Sequence, residues 1–518
     1  MACNDASGIT EQTTEFMTES TQIDEMNSQQ LPDQTENNEI LSLATCTIKN
    51  YEYSEEYDKI IANVSYPSFS LQGEWQEKHL ALNKILNTIN AVKKTKQLEE
   101  YHSFLQQAKE DLSENPDSFY PYEFNESVLV RRADQNSLSL LFSGSSYAGG
   151  AHGDYYLWGE NYEPSTGARI KLRSVVSDME VLKKQVEEQL DHYWSDAGFY
   201  DDLDHLLADR FDSDNEDDLS WTIDYNGLTF YFNPYDIAPN ASGIQIVTIP
   251  FTGNEDIFQE KYLNVPKEYG IQLTCVDPFF YDLDEDGEAE KISIYGEKNE
   301  YGYYVNHKIC VNDEEYDFEM EGFSVEPTFI HKEDGGSYLY IQTLSDNDYR
   351  LLSIYRLGKG AKMAEKLETI GAGYESIIPE EEEGPYLQMA LLDPKSFVLE
   401  TPTDILSTRS GIKHYYMDEN GLPLTDDPIY HMKEGITFTV KRDFDAELFD
   451  LESGSVGEQV KVGEGSKVVY YATDNVEYGF LLLEDDRIVR VKVNRSEWPI
   501  TIKGVEIEDI FDGIVFAG

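Results

Sequence analysis

The chain has 518 residues, of which 100 are Asp or Glu and 40 are Lys or Arg, so its formal charge is −60. So acidic a surface repels phosphate backbones and anionic lipid headgroups, and no basic patch interrupts it, which excludes nucleic acid as a partner. Hydrophobic residues make up 40% and aromatic residues 13% of the chain, which indicates several folded domains. The acidity favours cationic proteins and divalent metals as partners, although it also keeps an exported protein soluble.

The N-terminal segment has the composition of a tether. No Lys or Arg precedes Lys49, and residues 4–38 are mostly Thr, Ser, Glu, Gln, Asn and Asp. Such a segment buries too little apolar surface to offset the entropy of ordering it, so residues 1–46 are predicted to be a disordered acidic tether.

The first four residues, Met-Ala-Cys-Asn, are similar to the end of a bacterial lipobox. On this interpretation Cys3 carries a lipid, the protein is extracytoplasmic at the cell surface, and the anchor is its only contact with the membrane. A chance cysteine is the alternative. No run of about 18 apolar residues predicts a membrane-spanning helix.

Periodicity predicts mixed helices and strands between residues 47 and 265. Two strands are expected between 47 and 70, and one long helix or two successive helices between 73 and 115. Further predicted elements are strands at 128–132 and 137–143, a helix at 176–194, and strands at 221–223, 228–232 and 244–251. Because these elements lack a βαβ rhythm, they predict an α+β module.

Two motifs in this region are specific as a pair. The first is Tyr147-Ala148-Gly149-Gly150-Ala151-His152-Gly153, and the second is Asn233-Pro234-Tyr235-Asp236-Ile237-Ala238-Pro239. Together they resemble the paired extracytoplasmic domains of unknown function in RsiV, the lysozyme-sensing anti-sigma factor, and in the N-terminal part of the peptidoglycan deacetylase PdaC. The resemblance covers about residues 47–265, as sub-modules 47–155 and 156–265. It implies binding, with lysozyme as a partner, and it implies no deacetylation, because none of the nine histidines forms an HxxxH pair.

The glycine-rich run is the candidate binding loop. Its glycines permit positive φ angles and close backbone approach, which suits a sharp turn after a strand. His152 either contacts a ligand or fixes the turn by a hydrogen bond to the backbone. The candidate residues are Tyr147, Gly149, Gly150, His152 and Gly153. No motif singles out a catalytic residue, so we predict that the protein is not an enzyme.

A second loop has the spacing of a calcium site. Asp282, Asp284, Asp286 and Glu290 occupy positions 1, 3, 5 and 9, with Gly287 at position 6. Alternate carboxylates converge on one side of such a loop, and they are the ligands that Ca²⁺ prefers. Ser293 at position 12 excludes an EF-hand, while the strand-like flanks make the loop similar to the calcium loops of FG-GAP repeats. An acidic hairpin turn without metal is the alternative.

The remaining chain is predicted to be rich in strands. Residues 270–430 form a β-rich domain that contains the acidic loop. Cys275 and Cys310 both lie in this region, and the sequence leaves open whether they pair as a disulfide. Short strands at even spacing between 435 and 518 predict a small SH3-like β-barrel. The whole is therefore an α+β module, a β-rich module and a barrel.

Two functions remain open on the sequence alone. The first is a non-catalytic cell-surface protein that binds lysozyme or another cationic protein. The second is a calcium-stabilised envelope lipoprotein that binds peptidoglycan or another glycan.

Overall fold

The computed structural model describes residues 38–211, 218–275, 277–284, 286–300, 303–345, 349–358, 363–377 and 387–516, except the side chains of 320–321. Cys3 and residues 1–37 of the predicted tether lie outside these ranges. Residues 38–46, which the tether was predicted to include, belong to the fold, because Leu41 and Leu43 are fully buried and the first strand begins at Leu43.

The described helices are α1 Trp75–Lys78, α2 Leu80–Glu114, α3 Leu172–Val175, α4 Met179–Trp194, α5 Leu203–Phe211, α6 Glu260–Leu263 and α7 Ile507–Ile510. The strands of the first half are β1 Leu43–Ser54, β2 Lys59–Leu71, β3 Tyr122–Ala133, β4 Leu138–Tyr147, β5 Asp154–Tyr162, β6 Ser220–Ile223, β7 Gly227–Phe232, β8 Gln245–Pro250, β9 Tyr269–Gln272, β10 Phe279–Tyr281, β11 Glu290–Lys298, β12 Tyr304–Val311 and β13 Glu314–Gly322. The strands of the second half are β14 Ser324–His331, β15 Ser337–Leu344, β16 Arg350–Leu357, β17 Ala364–Ile370, β18 Gly373–Tyr374, β19 Ser376–Ile377, β20 Leu387–Met389, β21 Phe397–Thr403, β22 Arg409–Met417, β23 Pro423–Leu424, β24 Tyr430–Val440, β25 Phe444–Asp450, β26 Ser455–Val462, β27 Lys467–Thr473, β28 Tyr478–Leu483, β29 Ile488–Lys492, β30 Thr501–Ile502, β31 Val505–Glu506 and β32 Phe511–Asp512.

The first sheet has seven strands in the order β19-β20-β1-β2-β3-β4-β5. Only β2 and β3 run parallel, and α2 is the crossover between them. The helix packs on one face of the sheet through buried residues at helical spacing, and each fully buried leucine contributes about 1.5–3 kcal/mol. These buried residues include Leu82, Leu86, Tyr101, Ala108 and Leu112. The predicted helical region is therefore a single turn followed by one helix of 35 residues.

A second α/β layer covers the end of this sheet. Asp178 precedes the first residue of helix α4, and its side chain accepts a hydrogen bond from the Val181 backbone N–H and so caps the helix. The buried side chains of α4 pack against β6-β7-β8, and they are Leu182, Val186 and Leu190, as the periodicity predicted.

Strand β5 joins the two layers. Gly159 lies so close to β6 that a Cβ atom there would be 1.9 Å from the carbonyl oxygen of Trp221. The Asn161 side chain donates a hydrogen bond to the same carbonyl and accepts one from the Ile223 N–H. The predicted boundary between the two sub-modules, at residues 155 and 156, therefore falls inside β5, a strand of the first sheet that also contacts the second layer.

The Asn-Pro-Tyr-Asp motif has a structural role in this junction. Asp236 accepts a hydrogen bond from the Asn233 backbone N–H, which closes the turn. The Asn233 side chain then bonds to both backbone groups of Leu157 on β5. The motif thus fixes the second layer to the edge of the first sheet.

The C-terminal half is built from sheets, as the sequence predicted. A four-stranded sheet has the order β10-β11-β12-β13, a five-stranded sheet has the order β17-β16-β15-β14-β9, and eleven strands from β18 onward form the largest sheet. None of the sheets in the described residues closes into a barrel, so the SH3-like barrel is not confirmed. Strand β24 spans both positions, 430 and 435, at which domain limits were placed.

The sequence left open whether Cys275 and Cys310 pair, and in the structure they do not. Both are free thiols. No helix in the described ranges is long and apolar enough to cross a bilayer.

Candidate binding cleft

A large cleft lies between the first sheet and the C-terminal half, with a volume of about 1020 Å³. Its floor is a row of cross-strand neighbours on β1 to β5. In order across the sheet, the row is Lys49, Ser65, Asn125, Ser145 and Tyr155. A second polar pair, Ser127 and Ser143, lies beside it on β3 and β4.

The floor is polar because the strands alternate. On β3 the apolar residues Phe124 and Val128 point toward the α2 side of the sheet and are buried there. Their neighbours Asn125 and Ser127 are on the opposite face and line the cleft. Hydroxyl and amide groups held on a sheet need little reordering when they bind a ligand.

One wall comes from the C-terminal half and is held by hydrogen bonds. The Glu326 carboxylate accepts bonds from the side-chain amides of Gln342 and Gln388 at 2.7 and 3.0 Å. Arg350 donates to the Tyr374 carbonyl and to the Ser376 hydroxyl at 3.0 and 2.9 Å. The short strand β20 brings Gln388 to this place by pairing with β1.

Tyrosines stand at the mouth of the cleft. Tyr51 is 68% exposed and Tyr155 is 38% exposed, and both line the cleft. The Tyr155 hydroxyl lies 3.5 Å from the Asn240 carbonyl oxygen. An aromatic face over a polar floor suits a ligand with both apolar and hydroxyl-bearing surfaces.

Asp277 lies at the Tyr155 end of the cleft. Its carboxylate accepts a hydrogen bond from the Thr274 hydroxyl at 3.2 Å. Burial raises the pKa of the Asp277 carboxyl, and the Thr274 bond lowers it in part. The pKa of Tyr155 is raised first by burial and then by the charge of Asp277, because the two groups are close.

The predicted binding loop is the β4–β5 hairpin, as expected for a sharp turn after a strand. Gly149 and Gly150 have φ angles of 83° and 102°. A Cβ atom on Gly153 would lie 2.4 Å from the Ser146 carbonyl oxygen, so this position also requires glycine. His152 is exposed, and its Nδ1 lies 3.0 Å from the Gly153 oxygen.

None of the loop's candidate residues is among those that line the cleft. The loop instead connects two residues that do, Ser145 and Tyr155. The sequence motif therefore marks the neighbourhood of the cleft through the glycines that its turn requires. The cleft itself had a weaker signal, the alternation of Asn and Ser on β2, β3 and β4 (Asn63, Ser65, Asn125, Ser127, Ser143 and Ser145).

The acidic loop connects β10 and β11. One carboxylate oxygen from each of Asp282, Asp284 and Glu290 lies within 4.8 Å of the others. Asp286 is not in this group, and its carboxylate accepts a hydrogen bond from the Glu288 N–H. Gly287, at φ 93°, allows the turn, and its N–H donates to Asp282.

The Glu290 carboxylate is partly buried and is repelled by its two acidic neighbours. Burial raises the pKa of its carboxyl, a hydrogen bond from the Leu283 N–H lowers it, and the charges of Asp284 and Asp282 raise it further. A cation among the three carboxylates would remove this repulsion, so the donor set fits Ca²⁺.

Comparison with known proteins supports the resemblance. Residues 53–155 match the family model described as "Deacetylase PdaC", and residues 175–252 match "Protein of unknown function (DUF3298)". The paired domains predicted from the motifs are thus confirmed over these two segments. No curated protein matches the chain.

Two solved structures are similar to parts of this chain. A DUF3298 family member from Bacteroides fragilis NCTC 9343 is 17% identical, with a TM-score of 0.34, over 44% of this chain and 98% of its own. A DUF3298 family protein from Pseudomonas aeruginosa PAO1 is 16% identical, with a TM-score of 0.29, over 43% of this chain and 97% of its own.

Proposed function

We propose that this protein is a non-catalytic binding protein of the bacterial envelope, and that its cleft holds a segment of a glycan chain. The observation that carries the proposal is the polar row across β1 to β5, which ends at the aromatic side chain of Tyr155. Sugar rings present hydroxyls at their edges and C–H groups on their faces, so they match an amide and hydroxyl floor beside an aromatic ring.

The size of the cleft favours a polymer over a small metabolite. Its volume of about 1020 Å³ is at the top of the range of ~300–1,000 Å³ for ordinary ligand pockets. Three separate parts of the chain form its walls, so the site is held open by the fold. A chain of several sugars would make many modest hydrogen bonds along the floor.

The proposed location rests on sequence. Ala2-Cys3 is similar to the end of a lipobox, and the matched domains resemble extracytoplasmic ones. We expect radioactive palmitate to label the natural protein in its host and not its Cys3→Ala variant.

The acidic loop is proposed to bind Ca²⁺ through Asp282, Asp284 and Glu290. The metal would stabilise the β10–β11 turn and would take no part in chemistry. Through β10, the same turn is continuous with Asp277 at the end of the cleft.

Calorimetric titration of the full chain with chitohexaose, a neutral N-acetylated oligosaccharide, tests the proposed site. We expect saturable binding near one-to-one. The double variant Asn125→Leu/Ser145→Leu should weaken binding by about 10- to 100-fold, because each lost hydrogen bond is worth ~0.5–1.5 kcal/mol.

The matched control is Ser103→Leu, an exposed serine on α2, which packs on the other face of the sheet. This variant should bind like the parent, and circular dichroism should show that all three proteins fold alike. Absence of binding by the parent, or equal binding by the double variant, contradicts the proposal.

Capture of a cationic protein such as lysozyme is the second candidate, and the formal charge of −60 favours it. Titration with lysozyme at low and at physiological salt tests it. Binding that survives physiological salt would support a specific contact, whereas binding that disappears would show nonspecific attraction, which salt screens.

A further inference from the structure

Asp277 is a cleft residue that neither sequence motif includes. It follows β9 and immediately precedes Pro278 and β10, and its side chain is half-buried where the C-terminal half meets β5. In the described ranges, its carboxylate makes no ion pair with Lys, Arg or His within 4.0 Å.

The arginine that shares a small pocket with Asp277 is already paired with another carboxylate. Arg131, which lies beside Asp277 around a small pocket, is paired with Asp224 through two nitrogens, at 3.1 and 2.5 Å. Its remaining amino group donates to the Gln272 carbonyl. The charge of Asp277 therefore stays uncompensated by the protein.

Two other carboxylates line the cleft, and both differ from Asp277. Glu126 is buried, pairs with Lys93 and accepts a hydrogen bond from the Tyr156 hydroxyl. Glu326 is exposed and accepts hydrogen bonds from Ser324, Gln342 and Gln388, so its oxygens are already occupied. Asp277 has one side-chain donor, Thr274, and a tyrosine ring beside it. A carboxylate paired with an aromatic face is a common arrangement for an ammonium group.

We infer that Asp277 and Tyr155 form a subsite for a primary ammonium group on the bound glycan, so that the cleft prefers a chain carrying a free amino sugar. This inference rests on the proposed function. A single carboxylate supplies too few oxygens for a divalent cation, whereas one ammonium needs only one charge partner and a few hydrogen-bond acceptors. The serine and asparagine side chains of the floor would bind the rest of the chain without regard to acetylation.

Titration of the full chain with chitohexaose and with its fully deacetylated counterpart tests the subsite. At physiological salt and mildly acidic pH, where the amino groups are charged, we expect the parent to bind the amino form at least tenfold more tightly. Asp277→Asn should remove this preference, so that the variant binds the two oligosaccharides with equal affinity. The control is Asp154→Asn, which removes the same charge one residue from Tyr155 outside the cleft.

The outcomes separate the two claims. Equal binding of both oligosaccharides by the parent overturns the ammonium subsite and leaves the glycan cleft standing. A preference that both variants lose equally is general electrostatic attraction and also overturns the subsite. If the parent binds neither oligosaccharide, both claims are overturned. This also holds if the parent then binds tri-lysine and Asp277→Asn does not, because the site would recognise a cationic peptide and no glycan.

Discussion

At the scale of single residues, the fold depends on charges buried between its layers. Arg131 on β3 and Asp224 after β6 are 5% and 0% exposed. The Asp224 carboxylate also accepts hydrogen bonds from Thr222 and Thr229. The pair therefore connects the first sheet to the second layer at the place where the cleft ends.

Asp224→Ala should lower the free energy of unfolding by about 3–5 kcal/mol, because it leaves Arg131 charged and buried without a partner. Urea unfolding followed by circular dichroism measures the change. The control is Lys78→Ala, which breaks the exposed pair with Glu74 and should cost less than about 1 kcal/mol. Equal costs for the two variants would contradict this role.

His307 on β12 makes the stability of the fold depend on pH. It is fully buried, neither ring nitrogen has a hydrogen-bond partner among the residues that the structure describes, and burial lowers its pKa from 6.5 to about 4. As the pH falls below 6.5, the unfolded chain takes up a proton there that the folded chain does not accept until about pH 4. This histidine therefore stabilises the fold less and less across that window.

His307→Phe should flatten the loss of stability between pH 6.5 and 4 without changing the stability trend above pH 7. Urea unfolding at a series of pH values, parent against variant, isolates this contribution from that of the carboxylates. A difference between the two proteins that stays constant with pH would show that His307 is not the titrating group.

At the scale of elements, the acidic loop makes the clearest prediction. Bound Ca²⁺ should raise the midpoint of thermal unfolding by a few degrees, since a ligand at a hundred times its Kd adds about 2.7 kcal/mol. Asp284→Asn should abolish the increase. Asp313→Asn, at the exposed β12–β13 turn of the same sheet, should retain it. An unchanged midpoint with calcium would show that the loop is a plain acidic turn.

Elements with a strong local pattern were predicted well. The apolar spacing around Leu82, Leu86 and Tyr101 gave helix α2, and the glycines around His152 gave the β4–β5 turn. The strands β19 and β20, two and three residues long, are too short to show a period of two. They pair with a sheet whose other strands lie more than 200 residues earlier, and local sequence carries no signal for such a contact.

The barrel is not confirmed for a related reason. Short strands are present from β24 to β32, as the even spacing predicts. Even spacing predicts short strands joined by turns, but it does not say whether the last strand returns to the first. In this chain the strands continue the sheet that begins at β18.

At the scale of the whole molecule, the cleft belongs to no single segment. The two segments that match known families supply most of the floor and one wall, with Asn125, Ser145 and Ile244 among their residues. The C-terminal half supplies the opposite wall, which includes Glu326 and Arg350. Prediction from sequence found the parts, whereas the site depends on how they pack.

This organisation has a consequence for binding experiments. The first sheet includes β20, and the cleft includes residues from 272 to 388, so a fragment ending near residue 265 lacks a wall of the site. All measurements of the cleft therefore require the full chain.

A crystal structure of the full chain grown with chitohexaose tests the central claim most directly. The account predicts sugar density along the row from Lys49 to Tyr155, with one ring against Tyr155 and hydroxyls within hydrogen-bond distance of Asn125 and Ser145. Density at another surface, or an empty cleft at saturating oligosaccharide, would contradict it.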